Sequence, residues 1–284
     1  MDNSQKREIK QRETGMLVTA ASQGTGKTYQ NMIVISKAIK DKIENGVKGR
    51  KVLILDTNGE YTQEQFSKNG HPNFPVKIIS VKDVFDWCRS SKIECRRIDM
   101  KSLHIDDKLK ILTYCMQVVR NCLIVLEDIN TITTDVNHIK SLVSSVVNLR
   151  HKGVDVIVSY QSLRAVEPRI LSNCRWIRLH YSLGDVSDIK NKLNEPEMTK
   201  LAQLIINQKY YNGDKRFFLY IYQAPPKLVG NFTKEDFLDA CKKFLLLNKR
   251  RVKEQMSITG CSQQEAIDEQ SNQLLVQFYG NESV

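Results

Sequence analysis

The stretch Ala21-Ser-Gln-Gly-Thr-Gly-Lys-Thr28 decides the fold. It follows the apolar run Met16–Ala20, which predicts a strand, and it precedes a helical pattern from Lys27 to about Ile43. A glycine-rich turn that ends in Gly-Lys-Thr between a strand and a helix has the spacing of a phosphate-binding loop. Ala21 replaces the first glycine of the usual pattern. The stretch therefore predicts a loop that cradles phosphate groups at the start of a helix.

Each residue type in this loop has a chemical task. The backbone N–H groups of Gly24, Thr25 and Gly26, together with the helix N-terminus, would bind phosphate oxygens. Lys27 would reach the β- and γ-phosphates of ATP, and the Thr28 hydroxyl would bind Mg²⁺. These five residues are the predicted nucleotide site, with ATP and Mg²⁺ as its cofactors. The alternative is an ordinary glycine-rich turn.

A second motif is the apolar run Cys122–Leu126, which is typical of a central parallel strand and ends in Glu127 and Asp128. In a phosphate-loop fold, a neighbouring strand presents a carboxylate to Mg²⁺, and a second carboxylate can polarise the attacking water. By register, Glu127 is the predicted Mg²⁺ ligand and Asp128 the water-orienting acid. The usual order is Asp then Glu, so the inverted order leaves the two roles open. The alternative is a pair of solvated acids.

Gln161 follows another apolar pattern, Val154–Ser159. An amide placed between the phosphate loop and the acidic strand could hydrogen-bond the γ-phosphate or the attacking water and report hydrolysis to the rest of the subunit. A capping or loop role is the simpler interpretation of this residue alone.

The order of the patterns indicates the fold class. Strand patterns alternate with helical patterns up to about residue 185, which predicts an α/β fold with a doubly wound, mainly parallel sheet. We expect a flexible N-terminal arm at 1–14, an ATPase core at 15–230 and a helical C-terminal extension at 231–284. The segment Ser257–Asp268 has a loose helix-turn-helix pattern, but an ordinary helix pair that packs on the core or on a neighbouring subunit is the preferred interpretation.

Composition narrows the class of protein. The net charge of +11 favours a polyanionic partner such as nucleic acid, although a solvated basic face is the alternative. The seven cysteines are scattered without a C-x-x-C pair, which argues against a zinc site and predicts reduced, mostly buried thiols. No apolar run approaches the ~20 residues of a membrane span, and the charged N-terminus is unlike a signal peptide. We therefore expect a cytoplasmic protein.

Three stretches resemble the FtsK–HerA superfamily of P-loop ATPases. The stretch Lys51-Val-Leu-Ile-Leu-Asp-Thr-Asn-Gly-Glu-Tyr61 is similar to the HerA-type strand that ends in Asp, Gly, Glu and Tyr. The stretch 149–161, in which Arg150, a glycine and a strand precede Gln161, is similar to FtsK. The stretch 168–179 resembles the segment after it, in which a short helix leads into the last core strands.

The resemblance spans roughly residues 15–190. It implies a RecA-like core, a hexameric or similar homo-oligomeric ring, and ATP-driven movement of duplex DNA through the pore. It also implies that Gln161 is a sensor and that Arg150 is an arginine finger acting on the nucleotide of the adjacent subunit, with Arg175 and Arg178 as alternatives. Because the predicted phosphate loop begins near residue 21, we expect no N-terminal barrel of the HerA kind, and we expect no membrane segments of the FtsK kind. The chain therefore looks most like the genome-packaging ATPases of tailless, membrane-containing viruses.

Three functions are consistent with these observations. The first is a viral DNA-packaging motor, in the host cytoplasm or virion, with a capsid or portal protein as a further partner. The second is a plasmid or cellular DNA translocase used in conjugation, segregation or repair. The third is an ATP-binding regulatory ring that moves nothing, and DNA-stimulated ATP turnover separates it from the other two. The basic stretch Lys249–Lys253 could touch DNA or a capsid protein.

Overall fold

The computed structural model describes residues 14–40, 48–129 and 136–281 of the chain, so residues 1–13 of the predicted arm lie outside it. Within these ranges, nine strands form one sheet in the order β3-β4-β2-β5-β6-β1-β7-β8-β9. The strands are β1 (Met16–Ala20), β2 (Lys51–Asp56), β3 (Val76–Ile78), β4 (Cys95–Asp99), β5 (Cys122–Leu126), β6 (Asp155–Tyr160), β7 (Trp176–His180), β8 (Phe218–Gln223) and β9 (Pro226–Gly230).

The strands from β3 to β7 in this order run parallel, and β8 and β9 continue the sheet antiparallel. The α/β, mainly parallel fold is thus confirmed. One detail differs from the prediction: β6 lies between β1 and β5, so the acidic strand is not directly beside the phosphate-loop strand. Because parallel strands all end at the same edge, the residues after β1, β5 and β6 still meet there.

Helices cover both faces of the sheet, as a doubly wound fold requires. On one face, Met32 and Ile35 of α1 and Phe66 of α2 pack on the centre of the sheet; the other described helices pack on the opposite face. The helices are α1 (Lys27–Ile39), α2 (Gln63–Lys68), α3 (Val84–Arg89), α4 (Ile105–Val118), α5 (Val136–Asn148), α6 (Pro168–Asn173), α7 (Pro196–Tyr211), α8 (Lys234–Leu247), α9 (Lys249–Thr259) and α10 (Gln263–Phe278).

The C-terminal helices pack on the core of their own chain. In α10, Ala266, Leu274 and Phe278 are buried in the same apolar cluster as the central strands. The α9–α10 turn has Gly260 in a left-handed conformation (φ 69°) and is followed by a capping box at Ser262. No lysine or arginine occurs in α10. Because a helix that reads DNA needs positive charge near the phosphates, the composition of α10 favours the ordinary helix pair over a DNA-reading one.

Two further expectations can be compared with the structure. Five of the seven cysteines are buried, as predicted. No helix in the described ranges has both the length and the apolar character to cross a bilayer.

Candidate active site

The loop between β1 and α1 has the backbone of an anion-binding loop. Gly24 and Gly26 adopt left-handed conformations, with φ of 80° and 87°. Glycine adopts them without the steric strain of a Cβ atom. Gly26 is also the N-cap of α1, and no side chain caps the helix there. The N–H groups of the first turn of α1 therefore lack a side-chain acceptor, which suits a phosphate group.

A neutral histidine at the end of β7 hydrogen-bonds the backbone of this loop. Thr25 donates its hydroxyl to the carbonyl of Ser22 (2.8 Å), and Nδ1 of His180, at the end of β7, lies 3.0 Å from the carbonyl of Thr25. Since a carbonyl only accepts, Nδ1 carries the proton. Burial lowers the pKa of His180 to about 3, helped by the positive charges of Arg178 and Lys27, so the imidazole is uncharged at neutral pH.

Lys27 connects the loop to the acidic strand end. Its Nζ atom lies 2.8 Å from Oδ1 of Asp128 and 3.5 Å from Oε2 of Glu127. Burial disfavours the charge on this ammonium, but the two carboxylates outweigh that effect and raise the pKa of Lys27. The structure therefore brings the predicted phosphate-binding lysine and the predicted acid pair into direct contact.

The two acids have different surroundings. Glu127 is buried, and its Oε1 atom accepts hydrogen bonds from the hydroxyl of Tyr61, Nδ2 of Asn31 (2.8 Å) and the hydroxyl of Ser159 (3.1 Å). Its Oε2 atom makes no hydrogen bond with any described residue. Burial raises the pKa of Glu127, opposed mainly by the charge of Lys27 and the hydroxyl of Tyr61.

Asp128 leaves the strand direction. Its φ of 43° is left-handed, a conformation that costs a non-glycine residue roughly 1–2 kcal/mol. The turn places its carboxylate in the cleft, where Nδ2 of Asn58 is 3.3 Å from Oδ2. The sequence left the roles of the two acids open. The structure gives them distinct positions: Asp128 faces the cleft, and Glu127 lies beneath it.

The segment that ends β2 supplies two further groups. One carboxylate oxygen of Asp56 accepts the N–H groups of Gly59 (2.8 Å) and Glu60 (3.0 Å), and the other accepts that of Tyr61 (3.0 Å). Arg97 donates to the same carboxylate at 2.8 Å. This loop delivers the hydroxyl of Tyr61 to Glu127 and the carboxylate of Glu60 to the cleft. Both residues belong to the HerA-like stretch 51–61, but the sequence pattern did not predict a role for either one.

The residues around Thr28 fit a hard cation. Its hydroxyl donates to Oε2 of Glu60 at 2.6 Å. No three His, Cys, Asp or Glu side chains in the described ranges lie close enough together to hold a metal ion by themselves. Mg²⁺ is usually bound by one or two carboxylates together with water and substrate phosphates, and the hydroxyl of Thr28 with a carboxylate of Glu60, Asp128 or Glu127 offers the oxygen ligands that it prefers. Thr28 and Glu127, the predicted metal ligands, belong to this set. Glu60 and Asp128 are additional candidates.

A cleft of about 890 Å³ opens over the loop. Lys27, Asp128 and Gln161 line one part of it, so the structure places Gln161 beside the predicted phosphate site. Arg216, which precedes β8, also lines the cleft, and its Cγ lies 3.5 Å from the position of a Cβ atom added to Gly26. Arg216 could not be predicted from the sequence, because it is about 190 residues away from the loop along the chain and no local motif contains it.

The three arginines predicted as candidates for the arginine finger do not line the cleft over the phosphate loop. Arg150 is exposed in a 3₁₀ turn before the amino end of β6, at the sheet edge opposite the loop. Arg175 donates to the hydroxyl of Tyr222 (2.9 Å) and lies over the ring of Trp176. Arg178 is completely buried beneath α1, so its guanidinium cannot extend to another subunit.

Comparisons with known proteins add the following. No protein-family model matches the chain, and no curated protein matches it. The genome-packaging NTPase B204 of Sulfolobus turreted icosahedral virus 2, in complex with AMP, is 13% identical over 78% of this chain and 100% of that chain, with a TM-score of 0.49. The conjugation coupling protein TcpA of pCW3 is 12% identical over 83% of this chain and 65% of that one, with a TM-score of 0.44.

A third similar structure is the N-terminal domain of zonular occludens toxin from Neisseria meningitidis. It is 13% identical over 61% of this chain and 79% of that chain, with a TM-score of 0.32. At such identities and TM-scores, these similarities assign no activity to the chain.

Proposed function

We propose that the chain is an ATPase that moves nucleic acid, and more specifically a viral DNA-packaging motor. The observation that carries the ATPase part is the position of Lys27. Its ammonium lies at the start of α1, 2.8 Å from Asp128, over an open cleft. A lysine, a glycine loop and two carboxylates in this arrangement suit transfer of a phosphoryl group to water.

Each group of residues at this site has its own role in the proposed hydrolysis of ATP. The N–H groups of the loop and the ammonium of Lys27 hold the phosphates, and their positive charge stabilises the negative charge that develops on the γ-phosphate. Thr28 and Glu127 hold Mg²⁺, with Glu60 as a further candidate ligand. Mg²⁺ when bound neutralises charge on the β- and γ-phosphates. Asp128, which faces the cleft, orients the attacking water and accepts its proton.

Gln161 and Arg150 complete the proposal. Gln161 lines the cleft from the end of β6, where its amide can hydrogen-bond the γ-phosphate or the water. Arg150 is exposed at the opposite edge, about 20 Å away if six residues of β6 rise about 3.3 Å each. It cannot act on the nucleotide of its own subunit. We propose that it acts on that of the next subunit in a hexameric or similar ring.

The nucleic-acid part of the proposal rests on charge and on the FtsK–HerA-like sequence pattern. A net charge of +11 favours binding to duplex DNA through its phosphates, so affinity should fall steeply with salt and depend little on sequence. A capsid or portal protein is the further partner of a packaging motor. A plasmid or cellular translocase would share all of these features except that partner.

The first test is ATP hydrolysis with and without duplex DNA. We expect DNA to stimulate turnover, and we expect stimulation to vanish as salt is raised from 50 to 200 mM, about the range over which phosphate contacts weaken most. A wild type that hydrolyses ATP without response to any nucleic acid would leave a regulatory ring as the better function. A wild type that hydrolyses no nucleotide would contradict the ATPase itself.

The second test addresses Arg150. We expect Arg150→Ala to abolish turnover while ATP affinity stays within about threefold, because the side chain stabilises only the transition state. Rings that mix Arg150→Ala and Lys27→Ala subunits should regain part of the activity. At some interfaces, the intact Lys27 of one subunit then faces the intact Arg150 of its neighbour. Mixed rings without any regained activity would contradict action across the interface. Arg164→Ala, which changes another exposed arginine, is the control.

A further inference from the structure

Asn31 lies at the centre of a buried polar cluster one turn after Lys27 in α1. Its Nδ2 atom is 2.8 Å from Oε1 of Glu127, 3.0 Å from the hydroxyl of Tyr61 and 3.1 Å from that of Ser159. An amide nitrogen has two hydrogens, so it can donate to two of these three acceptors. The two hydroxyls can themselves donate to Oε1. Donors therefore surround one oxygen of Glu127.

The orientation of the Asn31 amide is set from the other side by Arg178. This side chain comes from β7 and donates through Nη2 to Oδ1 of Asn31, and it lies 3.4 Å from the carbonyl of Lys27. A guanidinium donates and never accepts, so only the oxygen end of the amide can face it. The nitrogen end of Asn31 must then face Glu127.

The burial of Arg178 is costly. It is 0% exposed, and its Nε and Nη1 atoms have no hydrogen-bond partner among the described residues. No carboxylate in that part of the chain forms a salt bridge with it. Burial lowers the pKa of Arg178, the expected sign for a desolvated cation. Burying a cation without a paired charge opposes stability, so the contacts of Arg178 with Asn31 and with the carbonyl of Lys27 suggest a role other than a stabilising ion pair.

We propose that Asn31 and Arg178 are positioning residues for Glu127: Arg178 fixes the amide of Asn31, and Asn31 fixes the carboxylate. The inference rests on the proposed ATPase function. Their effect is to hold Oε1 in the buried cluster, so that Oε2 remains directed toward Lys27 and the phosphate site. Neither residue touches the nucleotide.

The main test replaces Asn31 by leucine, which has a similar size and no polar atoms. We expect kcat to fall roughly 10- to 100-fold, the effect of removing a hydrogen bond to a charged group. Affinity for a fluorescent ATP analogue in EDTA should stay within about threefold of wild type. The gain in affinity on adding Mg²⁺ should shrink roughly tenfold, as for other residues that orient a metal ligand.

Gln203→Leu is the matched control. Gln203 is also a buried helical amide, and its Nε2 donates to the carbonyl of Gly184 at 2.7 Å, away from Glu127. This variant loses a buried amide without touching the cluster. We expect its kcat and Mg²⁺ response to equal those of wild type even where its thermal stability falls. If Gln203→Leu and Asn31→Leu reduce kcat equally, the effect is general destabilisation and the proposal is wrong.

A double-mutant cycle tests whether Arg178 acts through Asn31. Arg178→Met alone should lower kcat roughly tenfold, whereas in the Asn31→Leu background it should change kcat less than about twofold. Arg178→Lys keeps a donor-only side chain and should retain more activity than Arg178→Met. If the losses in kcat of the two single variants are additive in the double variant, Arg178 does not act through Asn31 and the proposal is wrong.

Tyr61→Phe provides a result if Asn31→Leu does not fold, because it keeps the ring and removes only the hydroxyl that donates to Glu127. The same reduced Mg²⁺ response, with unchanged affinity in EDTA, is expected. A full Mg²⁺ response in this variant would count against the proposal. A wild type without any ATP turnover would instead contradict the proposed function.

Discussion

The two edges of the sheet hold their charged side chains in different ways. At the amino edge, Arg50 pairs with Asp155 and donates to the carbonyl of Gly153 (2.7 Å), and Lys152 donates to the carbonyls of Met116 (2.8 Å) and Gln117. These cations are bound by a carboxylate and by backbone carbonyls of the protein. Arg50 and Lys152 thus satisfy backbone carbonyl groups near the ends of a strand and a helix.

At the carboxyl edge, Lys27 and Asp128 line the cleft over the phosphate loop. Lys27 pairs with Asp128 and Glu127 beside a cleft of about 890 Å³, and Oε2 of Glu127 makes no hydrogen bond to the described residues. Arg50 and Asp155 also line a cavity, of about 900 Å³, but their partners include backbone groups, the carbonyl of Gly153 and the N–H of Gly15. The partners of Lys27 are two side-chain carboxylates beside the glycine loop. Under the proposed function, the difference separates cations that are bound within the fold, such as Arg50 and Lys152, from the cation of the phosphate loop, which is available for chemistry.

The largest expected effect is that of Lys27→Ala. We expect ATP turnover to fall below detection, about 1,000-fold or more, because the variant loses the phosphate contact and leaves two carboxylates to repel the nucleotide. Phosphate release measures it. Lys152→Ala, at the amino edge, is the control and should keep its turnover. Measurable turnover by Lys27→Ala, above one hundredth of wild type, would remove Lys27 from the chemistry.

The next prediction compares one acid from each edge. Asp128→Asn should reduce kcat about 100-fold and tighten nucleotide binding, because Lys27 no longer has to leave an ion pair. Asp155→Asn should leave kcat near wild type and lower the free energy of unfolding by about 1–3 kcal/mol, since it weakens the pair with Arg50 and a contact to Gly15. Steady-state kinetics and urea unfolding measure the two. The reverse pattern would refute the distinction between the edges.

A third prediction concerns pH. The folded pKa of His180 is lowered to about 3, and the unfolded value is about 6.5. The folded state thus binds fewer protons, and stability is full above pH 6.5 and falls as the pH drops. Between pH 6.5 and 5 we expect a loss of about 1–2 kcal/mol. Urea unfolding of His180→Gln should lack this loss, and the exposed His104→Gln should retain it.

The smallest expected effect tests an ion pair on the carboxyl edge that lies outside the cleft. Burial opposes the charge of Asp185, but Lys200 and the N–H of Ser187 outweigh it and lower its pKa to about 2. Its contribution is present above about pH 4 and is lost as the pH falls toward 2. Because the carboxylate is half exposed, Asp185→Asn should change the unfolding free energy by only a few tenths of a kcal/mol and leave kcat unchanged. A fall in kcat would extend the active site.

The sequence predicted the strands whose apolar runs are uninterrupted. The runs at β1, β2 and β5 were recognised, because strands buried on both faces are apolar throughout. The strand β4 was missed, since its sequence Cys95-Arg-Arg-Ile-Asp99 looks like a surface segment. Arg97 is buried there because Asp56 and Asp99 neutralise it. That pairing depends on two strands meeting in space, which no local pattern contains. β9 was missed because Pro225 and Pro226 indicated the end of a strand.

The candidate site could be predicted in part for a related reason. The loop residues and the acid pair lie in short local motifs, and the structure brings them together. Asn31, Arg178 and Arg216 lie outside such motifs. Asn31 looks like one polar residue among others in a helix, and Arg178 was considered only as a finger, although it is buried under α1. Glu127 and Asp128 occupy separate positions because the backbone of Asp128 is left-handed. The residue types at 127 and 128 do not predict that backbone conformation.

The contact between Lys27 and Asp128 has a consequence for timing. In this ion pair each group neutralises the charge of the other. An incoming triphosphate must take the ammonium away from the carboxylate, and the same exchange releases the carboxylate toward water. Under the proposed function, binding of the substrate thus frees the carboxylate of Asp128 to act as the base.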